Sequence, residues 1–138
     1  MQDEDHRRVW QAWHKASVDR DPAALLSLYA DDAILEAPMI PKVLNQKNGV
    51  IQGRENIKVF LDEARRQVAS SGGPKTPMRW WREDRFFSAG DTLIWEYPRQ
   101  TPEGEQIDIV EVMKIKDGLI QHHRVYWGWK LTTPVGHD

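Results

Sequence analysis

The apolar and polar positions follow a helical period in the first half of the chain and a period of two in the second half. Apolar residues recur three and four positions apart from about residue 5 to residue 18, which predicts an amphipathic helix. Asp21 followed by Pro22 is typical of a second helix start, because aspartate caps the first turn and proline fits into it. A third helix is predicted from Gly53 onward.

The stretch YADDAILEAP, residues 29–38, is predicted to end the second helix and then to form a short strand. The strand covers residues 33–37 and is stopped by the proline that follows. The pair Asp31–Asp32 is interpreted as satisfying backbone groups at the helix end. Residues 38–52 contain two prolines and an Asn-Gly pair, so a loop is predicted there.

Four strands are predicted in the second half, where apolar and polar residues alternate. They cover residues 78–88, 92–101, 106–116 and 119–131, with glycine-containing turns between them. Helices followed by an antiparallel meander predict an α+β fold in a single domain, residues 1–138. We expect a curved antiparallel sheet packed against about three helices of the N-terminal half. Such a sheet encloses a cone that holds either a core or a ligand.

Composition and charge narrow the possible function classes. The chain has 138 residues, 40% hydrophobic and 29% charged, with a formal net charge of -2. These values fit one globular domain and give no electrostatic reason to expect a nucleic acid partner. No apolar run approaches the ~20 residues of a membrane-spanning helix, and no segment resembles a signal peptide. A cytoplasmic protein with neither a membrane nor a nucleic acid partner is therefore expected.

The strand IDIVEVMKI carries the first candidate for chemistry. Glu111 is the polar residue on a strand face that is otherwise aliphatic. It either faces solvent, pairing with an arginine such as Arg99 or Arg124, or is a buried acid aimed into a cavity. A buried acid of the second kind can serve as a general acid or as an oxyanion donor.

The next strand, LIQHHRVYWGW, carries the second candidate. His123 shares a predicted face with Val125 and Trp127. A tight turn joins this strand to the Glu111 strand, so the two strands are predicted to pair, with Glu111 and His123 facing one interior. The alternative is that His123 is a core residue with satisfied hydrogen bonds. Glu96, which shares a face with Ile94, is a further candidate acid.

Neither a metal nor a cofactor is expected. His122 and His123 are adjacent in a strand, so they project to opposite faces and cannot easily bind one ion. The chain has no cysteine, no glycine-rich phosphate loop and no serine nucleophile motif. Its seven tryptophans indicate either core packing or an aromatic-lined pocket. Of the adjacent Trp80 and Trp81, Trp81 is predicted to line the interior.

Three stretches carry a resemblance to a known superfamily. They are DRDPAALLSLYADDAILEAP, IQGRENIKVFL and VEVMKIKDGLIQHHRVYWGW. In this order they resemble the NTF2-like superfamily, most closely its branch of SnoaL-like polyketide cyclases and ketosteroid isomerases. The resemblance covers residues 7–129 and implies a cone-shaped fold with a hydrophobic pocket. It does not imply one reaction, because members include isomerases, cyclases, dehydratases, epoxide hydrolases and binding modules.

The catalytic groups of ketosteroid isomerase can be placed on this chain one by one. That enzyme uses an aspartate base with a tyrosine and a protonated aspartate as oxyanion donors. The base position falls at Ala37, the tyrosine at Trp13 and the protonated acid at Glu111, so only the last keeps its chemistry. The usual ketosteroid isomerase mechanism is therefore not expected. The predicted site has Glu111 and His123 as catalytic residues, and as ligand-binding residues Trp13, Tyr29, Ala37, Phe60, Trp81, Glu96 and Trp127.

Three classes of function remain open. The first is a cofactor-free enzyme in which Glu111 and His123 share acid–base work on a small, largely apolar ligand, cyclic ligands included. Its reaction would be an isomerisation, cyclisation, dehydration or epoxide hydrolysis. The second is a module that binds such a ligand without chemistry. The third is an interaction protein or a subunit of a larger enzyme.

A homodimer is expected as well. The resemblance implies it, because dimers formed sheet to sheet are frequent in the superfamily. An apolar patch on the outer face of the sheet is predicted to form the contact. Its members are Val110, Val112, Ile120 and Tyr126.

Overall fold

The computed structural model describes residues 2–70, 85–100 and 105–128. The helices within these ranges are α1 (Gln2–Asp19), α2 (Pro22–Leu26), α3 (Ile40–Leu44) and α4 (Arg54–Ser70). The strands are β1 (Tyr29–Glu36), β2 (Val50–Gln52), β3 (Phe87–Ala89), β4 (Thr92–Gln100), β5 (Gln106–Lys116) and β6 (Leu119–Gly128). They form one curved sheet, not closed into a barrel, with the order β2-β1-β6-β5-β4-β3.

The predicted α+β class is confirmed. Strands β3 to β6 each pair with their neighbours in sequence as an antiparallel meander. The sheet is not wholly antiparallel, however, because β1 runs parallel to β6 and antiparallel to β2. Alternation along a sequence reveals a strand but not its neighbours, and β1 enters the sheet from the other half of the chain.

The core lies between the helices and the concave face of the sheet. Helix α1 buries Val9 and Ala16 there, and helix α4 buries Ile57 and Phe60. Both helices carry their apolar residues at the three- and four-residue spacing predicted from the sequence. The concave face of the sheet contributes a larger set of buried residues, among them Leu35, Leu93, Trp95, Met113, Ile115 and Ile120.

The chain enters the sheet earlier than predicted. Helix α2 ends at Leu26, so Tyr29 begins β1 and does not close a helix. The carbonyl of Leu28 accepts the backbone N–H of Ile120 at 2.8 Å, and this bond fixes the chain beside β6. Tyr29 then lies opposite Ile120 and is almost fully buried.

The pair Asp31–Asp32 lies where the register between β1 and β6 is irregular. Both side chains are exposed. Asp31 forms an ion pair with Arg54 at the start of α4, and Asp32 accepts the side-chain N–H of Gln121 at 3.0 Å. The two aspartates therefore link β1 to neighbouring elements through side chains, and their interpretation as caps of a helix end is wrong.

Residues 38–52 are not the plain loop that was predicted. They contain α3, with Pro41 in its first turn, where the missing N–H of proline is tolerated. Asn45 ends α3 with a φ of 54°, a left-handed conformation that asparagine adopts more readily than most residues. Strand β2 then pairs with β1 at the edge of the sheet.

A bulge in β6 changes which of its residues face the core. Pairing with β5 passes from His122 directly to Ile120, so Gln121 has no opposing residue on β5. Ile120 and His123 are consequently both inside, at 0% and 2% exposure. The prediction that Ile120 belongs to an outer apolar patch is therefore wrong. Tyr126 does lie on the surface, and the homodimer stays a prediction.

Several predictions fall partly or wholly outside the described residues. The predicted strand 78–88 is described only from residue 85, where β3 forms, and Trp81 lies in the range that is not described. The predicted strands 92–101 and 119–131 also end beyond the described residues. No helix in the described part of the chain combines the length and the apolar character that a membrane crossing requires.

We expect Gly49→Ala to destabilise the protein by about 1–3 kcal/mol, because a crowded site must shift to admit even a methyl group. A Cβ at Gly49 would stand 2.8 Å from the backbone oxygen of Ala37, where β2 approaches the end of β1. Urea unfolding followed by tryptophan fluorescence measures the change. Gly128→Ala is the control, since a Cβ there meets no atom of the described residues within 4 Å. Equal stability of the two variants would contradict the expectation.

Candidate functional site

A buried, hydrogen-bonded pair of a histidine and a carboxylate joins β5 and β6 on the concave face of the sheet. The register of the two strands places Met113 opposite His123 and Glu111 opposite Val125. His123 Nε2 and Glu111 Oε1 lie 2.6 Å apart. The two residues are only 2% and 4% exposed. The structure thus brings together the acid and the histidine that the sequence analysis singled out, and their catalytic role stays a prediction.

Two tyrosine hydroxyls extend this pair into a chain of four side chains. The hydroxyl of Tyr29, from β1, lies 2.8 Å from His123 Nδ1. The hydroxyl of Tyr97, from β4, donates to Glu111 Oε2 at 2.6 Å. The chain Tyr29–His123–Glu111–Tyr97 therefore takes one residue from each of four strands. We call it the buried network.

The positions of the protons in the buried network follow from its chemistry. Burial first, and then the negative charge of Glu111, raise the pKa of Tyr29 well above its ordinary value. The same two causes, with the hydrogen bond to Glu111, raise the pKa of Tyr97. Both phenols therefore keep their protons at neutral pH. An ionised Glu111 can only accept, so it requires a proton on His123 Nε2, and a neutral His123 then accepts from Tyr29.

Tryptophans surround the inner end of the buried network. The ring of Trp13, on α1, stands edge-on to His123 with centroids 5.2 Å apart and planes at 89°. Trp13 also meets Tyr29 and Trp95 edge-on, at 6.2 Å and 6.0 Å. These contacts pack aromatic rings against His123 and Tyr29 at this end of the buried network.

The remaining predicted site residues are placed in different parts of the molecule. Phe60 packs in the core from α4, and Ala37 lies at the end of β1 beside an open groove. Trp127 is 36% exposed, near the end of β6. Glu96 pairs with Val110 in the register, one step from the Trp95–Glu111 pair, so it lies on the opposite face of the sheet from Glu111. It does not join the buried network.

Tyr97 belongs to the buried network but was not among the predicted site residues. The signal was present in TLIWEYPRQ, where Tyr97 alternates with Glu96 and therefore shares a face with Trp95. Pairing with the following strand places Tyr97 opposite Ile109, diagonal to Glu111, within reach of its carboxylate.

Two open grooves lie outside the buried network. One, of about 520 Å³, is lined by residues of α1 and by Arg85, Phe86 and Ser88. The other, of about 310 Å³, lies between Ala37 and the end of β6. Neither is lined by Glu111 or His123, so the interior pocket stays a prediction. Across residues 2–70, 85–100 and 105–128, no group of three or more His, Cys, Asp or Glu is placed to hold a metal ion.

A curved, open sheet with helices against its concave face and a polar cluster inside defines the NTF2-like class of α+β cone. Within that class the chain belongs to the SnoaL-like domain family, whose model matches residues 10–123. The resemblance inferred from the sequence is confirmed. Among curated proteins, none matches the chain.

Solved structures support the same fold over nearly the whole chain. An NTF-2 like protein of unknown function from Burkholderia xenovorans LB400 is 25% identical, with 97% of this chain and 91% of that chain covered and a TM-score of 0.64. A SnoaL-like protein of unknown function from Burkholderia thailandensis E264 is 19% identical, with coverages of 91% and 96% and a TM-score of 0.70. TerC, co-crystallised with polyporic acid, is 20% identical, with coverages of 90% and 92% and a TM-score of 0.67. At 19% and 20% sequence identity, the last two structures show a similarity of fold alone.

We expect Glu111→Ala to lower the free energy of unfolding by about 3–5 kcal/mol, because it leaves the buried polar atoms of His123 and Tyr97 without their partner. The Glu96 side chain lies on the other face of the sheet from Glu111. Glu96→Ala removes a carboxylate from β4, one residue after Trp95, which lies opposite Glu111. We expect it to change stability by only about 0.5 kcal/mol. Urea unfolding of both variants at pH 7 gives the comparison. A loss at Glu111 no larger than that at Glu96 would show that the network carries little stability.

Because the pKa values of Tyr29 and Tyr97 are raised in the folded protein, we expect the free energy of unfolding to decrease in alkaline solution. Above about pH 10 the unfolded chain releases protons that the folded network retains, so the free energy of unfolding falls with rising pH. Each phenol contributes a slope of up to about 1.4 kcal/mol per pH unit. Unfolding measured from pH 8 to 12 should give a shallower decline for the double variant Tyr29→Phe/Tyr97→Phe. Parallel profiles for the two proteins would contradict this expectation.

Proposed function

We propose that the protein is a cofactor-free enzyme that performs general acid–base catalysis on a small, largely apolar ligand within the cone. The observation that carries this proposal is the buried pair of His123 and Glu111, flanked by the hydroxyls of Tyr29 and Tyr97. A histidine and a carboxylate in contact can move a proton between two positions of one ligand. Isomerisation, cyclisation, dehydration and epoxide opening all need such a transfer and no cofactor.

The environment of the pair favours catalysis over simple binding. His123 and Glu111 are buried, with Trp13 packed against His123, and electrostatic interactions are stronger at a buried site than in water. Two neutral phenols flank the pair, and both of their protons are engaged with it. Either phenol could donate to a developing oxyanion on a ligand only by exchanging its present hydrogen bond.

The proposal differs from the usual ketosteroid isomerase arrangement. The position of its base is Ala37 here, and a methyl group cannot accept a proton. We propose the carboxylate of Glu111 as the proton acceptor of the His123–Glu111 pair, at a position that in ketosteroid isomerase holds an oxyanion donor. We therefore propose that the acid–base centre lies in the middle of the sheet, on β5 and β6, and not at the end of β1.

A binding module is the second candidate, and one observation favours it. Each nitrogen of His123 and each carboxylate oxygen of Glu111 already has a hydrogen-bonding partner in the protein. A polar network in which all hydrogen bonds are made can have a purely structural role, which is to fix the packing of the strands. The cone would then hold a ligand without changing it.

A screen with chemical analysis of the ligand distinguishes the two candidates. Thermal shift of the wild-type protein would be measured against steroids, terpenoids, small epoxides and aromatic polyketides. Hydroxylated quinones would be added, because a SnoaL-like fold has been crystallised with polyporic acid. Mass spectrometry and NMR would show whether each stabilising ligand is converted. We expect at least one stabilising ligand to be converted, at a rate that Glu111→Gln lowers by about 100-fold or more.

Glu96→Gln is the matched control for this experiment. It makes the same chemical change on a neighbouring strand, on the face away from the buried network. We expect it to keep wild-type turnover. A ligand that stabilises the wild type and returns unchanged would favour the binding module. Equal loss of turnover in both variants would remove Glu111 from the mechanism.

A further inference from the structure

Strand β6 continues beyond the point where its neighbour β1 ends. The last register pair between the two strands is Glu36 with Arg124, whereas β6 runs on to Gly128. The chain turns away from the sheet at Pro38 and enters α3. The groove of about 310 Å³ is lined by residues of this turn, of β2 and of the last part of β6. We call it the rim groove.

Most of the lining of the rim groove is apolar and rests on backbone that is held in place. The backbone N–H of Ala37 donates to the carbonyl of Gly49 at 2.9 Å, and the N–H of Ile40 donates to the carbonyl of Ala37 at 3.2 Å. These bonds fix the turn between β1 and α3 against the start of β2. The apolar side chains of the lining belong to Ala37, Pro38, Pro41, Val50 and Val125.

Two side chains of β6 add hydrogen-bond donors to this apolar lining. His123 faces the core, so strand alternation places Arg124 and Tyr126 together on the outer face of the sheet. The Nε–H of Arg124 donates to the hydroxyl oxygen of Tyr126 at 3.1 Å. This bond leaves the proton of Tyr126 and the terminal N–H groups of the guanidinium for another acceptor.

The charge of Arg124 is not matched by a carboxylate of the described residues. Arg54 and Arg66 each form an ion pair, but within the described ranges Arg124 forms none. Glu36 is the acidic residue of the lining and the register neighbour of Arg124, yet its Oε2 lies against His122 Nε2. Arg124 is also partly buried, and an anion interacts more strongly with a partly buried cation than with a fully solvated one.

We propose that the rim groove binds a small hydrophobic monocarboxylate, with a body of about one ring. The guanidinium of Arg124 holds the carboxylate through paired N–H donors, and the hydroxyl of Tyr126 donates a further hydrogen bond. The prolines and Val50 contact the apolar body. A volume of about 310 Å³ is at the lower end of the range for ligand sites, which favours one ring over a polycyclic ligand. The rim groove is not lined by Glu111 or His123, so this inference goes beyond the proposed function and does not depend on it.

Phenylacetate and phenylacetamide test the proposal in the wild-type protein, because they have nearly the same shape and only the first carries a charge. NMR titration of the backbone amide signals at pH 7 gives both dissociation constants and locates the contact. We expect phenylacetate to shift the signals of Val125 and Tyr126 and to bind about tenfold or more tightly than phenylacetamide. Equal affinities, no binding of phenylacetate, or shifts confined to other parts of the chain would overturn the proposal.

Three variants then assign the contact to side chains. Arg124→Gln should weaken phenylacetate binding by about tenfold or more and leave phenylacetamide binding unchanged. Tyr126→Phe should weaken phenylacetate binding by about threefold, and it tests the site even if Arg124→Gln does not fold. Arg65→Gln is the matched control, because it removes the same charge from an exposed position on α4, and it should keep the wild-type affinity. Wild-type affinity in both Arg124→Gln and Tyr126→Phe, or equal losses in the two arginine variants, would contradict the proposal.

A second copy of the chain is the competing occupant of this face, because the predicted homodimer would also use Tyr126. A carboxylate of the partner would then pair with Arg124. Sedimentation of the wild type, with and without phenylacetate, and of Arg124→Gln separates the two possibilities. We expect the sedimentation coefficient to be the same in all three samples. A dimer that Arg124→Gln or phenylacetate dissociates would assign Arg124 to an interface between copies and overturn the proposal.

Discussion

The burial of one carboxylate constrains much of this structure. Glu111 lies in the middle of the sheet, and an ionised group there would be very costly without partners. Its partners come from both neighbouring strands: His123 from β6 on one side and Tyr97 from β4 on the other. His123 in turn requires Tyr29 from β1. A single chain of hydrogen bonds thus links four of the six strands that the structure describes.

The bulge at Gln121 is the backbone feature that makes this network compatible with an apolar core. Without an extra residue, strict alternation would place Ile120 outside whenever His123 is inside. The bulge lets β6 bury an aliphatic residue at its start and a histidine three positions later. The same extra residue directs the Gln121 side chain to Asp32, which fixes the irregular part of β1. The irregular segments of β1 and β6 therefore help to hold the buried network in place.

The sequence was sufficient for the fold class and for part of the site, and the reasons can be stated residue by residue. Glu111 and His123 were predictable because each is polar on an apolar face and their strands are joined by a tight turn. Tyr29 was assigned to a helix because local periodicity cannot show that Leu28 bonds to a residue more than ninety positions away. Ile120 was misplaced because a bulge leaves no clear mark in the alternation. Tyr97 was overlooked because its role depends on a diagonal contact across strands.

A polar network whose atoms are all paired resists reaction unless one bond can be exchanged at low cost. Breaking the bond between His123 and Glu111 would strand charge in a site closed by Trp13. The bond between Tyr97 and Glu111 differs, because Tyr97 is partly exposed whereas the other three members of the network are buried. Ala37 offers no competing acceptor at the end of β1. The outer end of the network is therefore the position where stability of the buried centre and chemistry on a ligand conflict least.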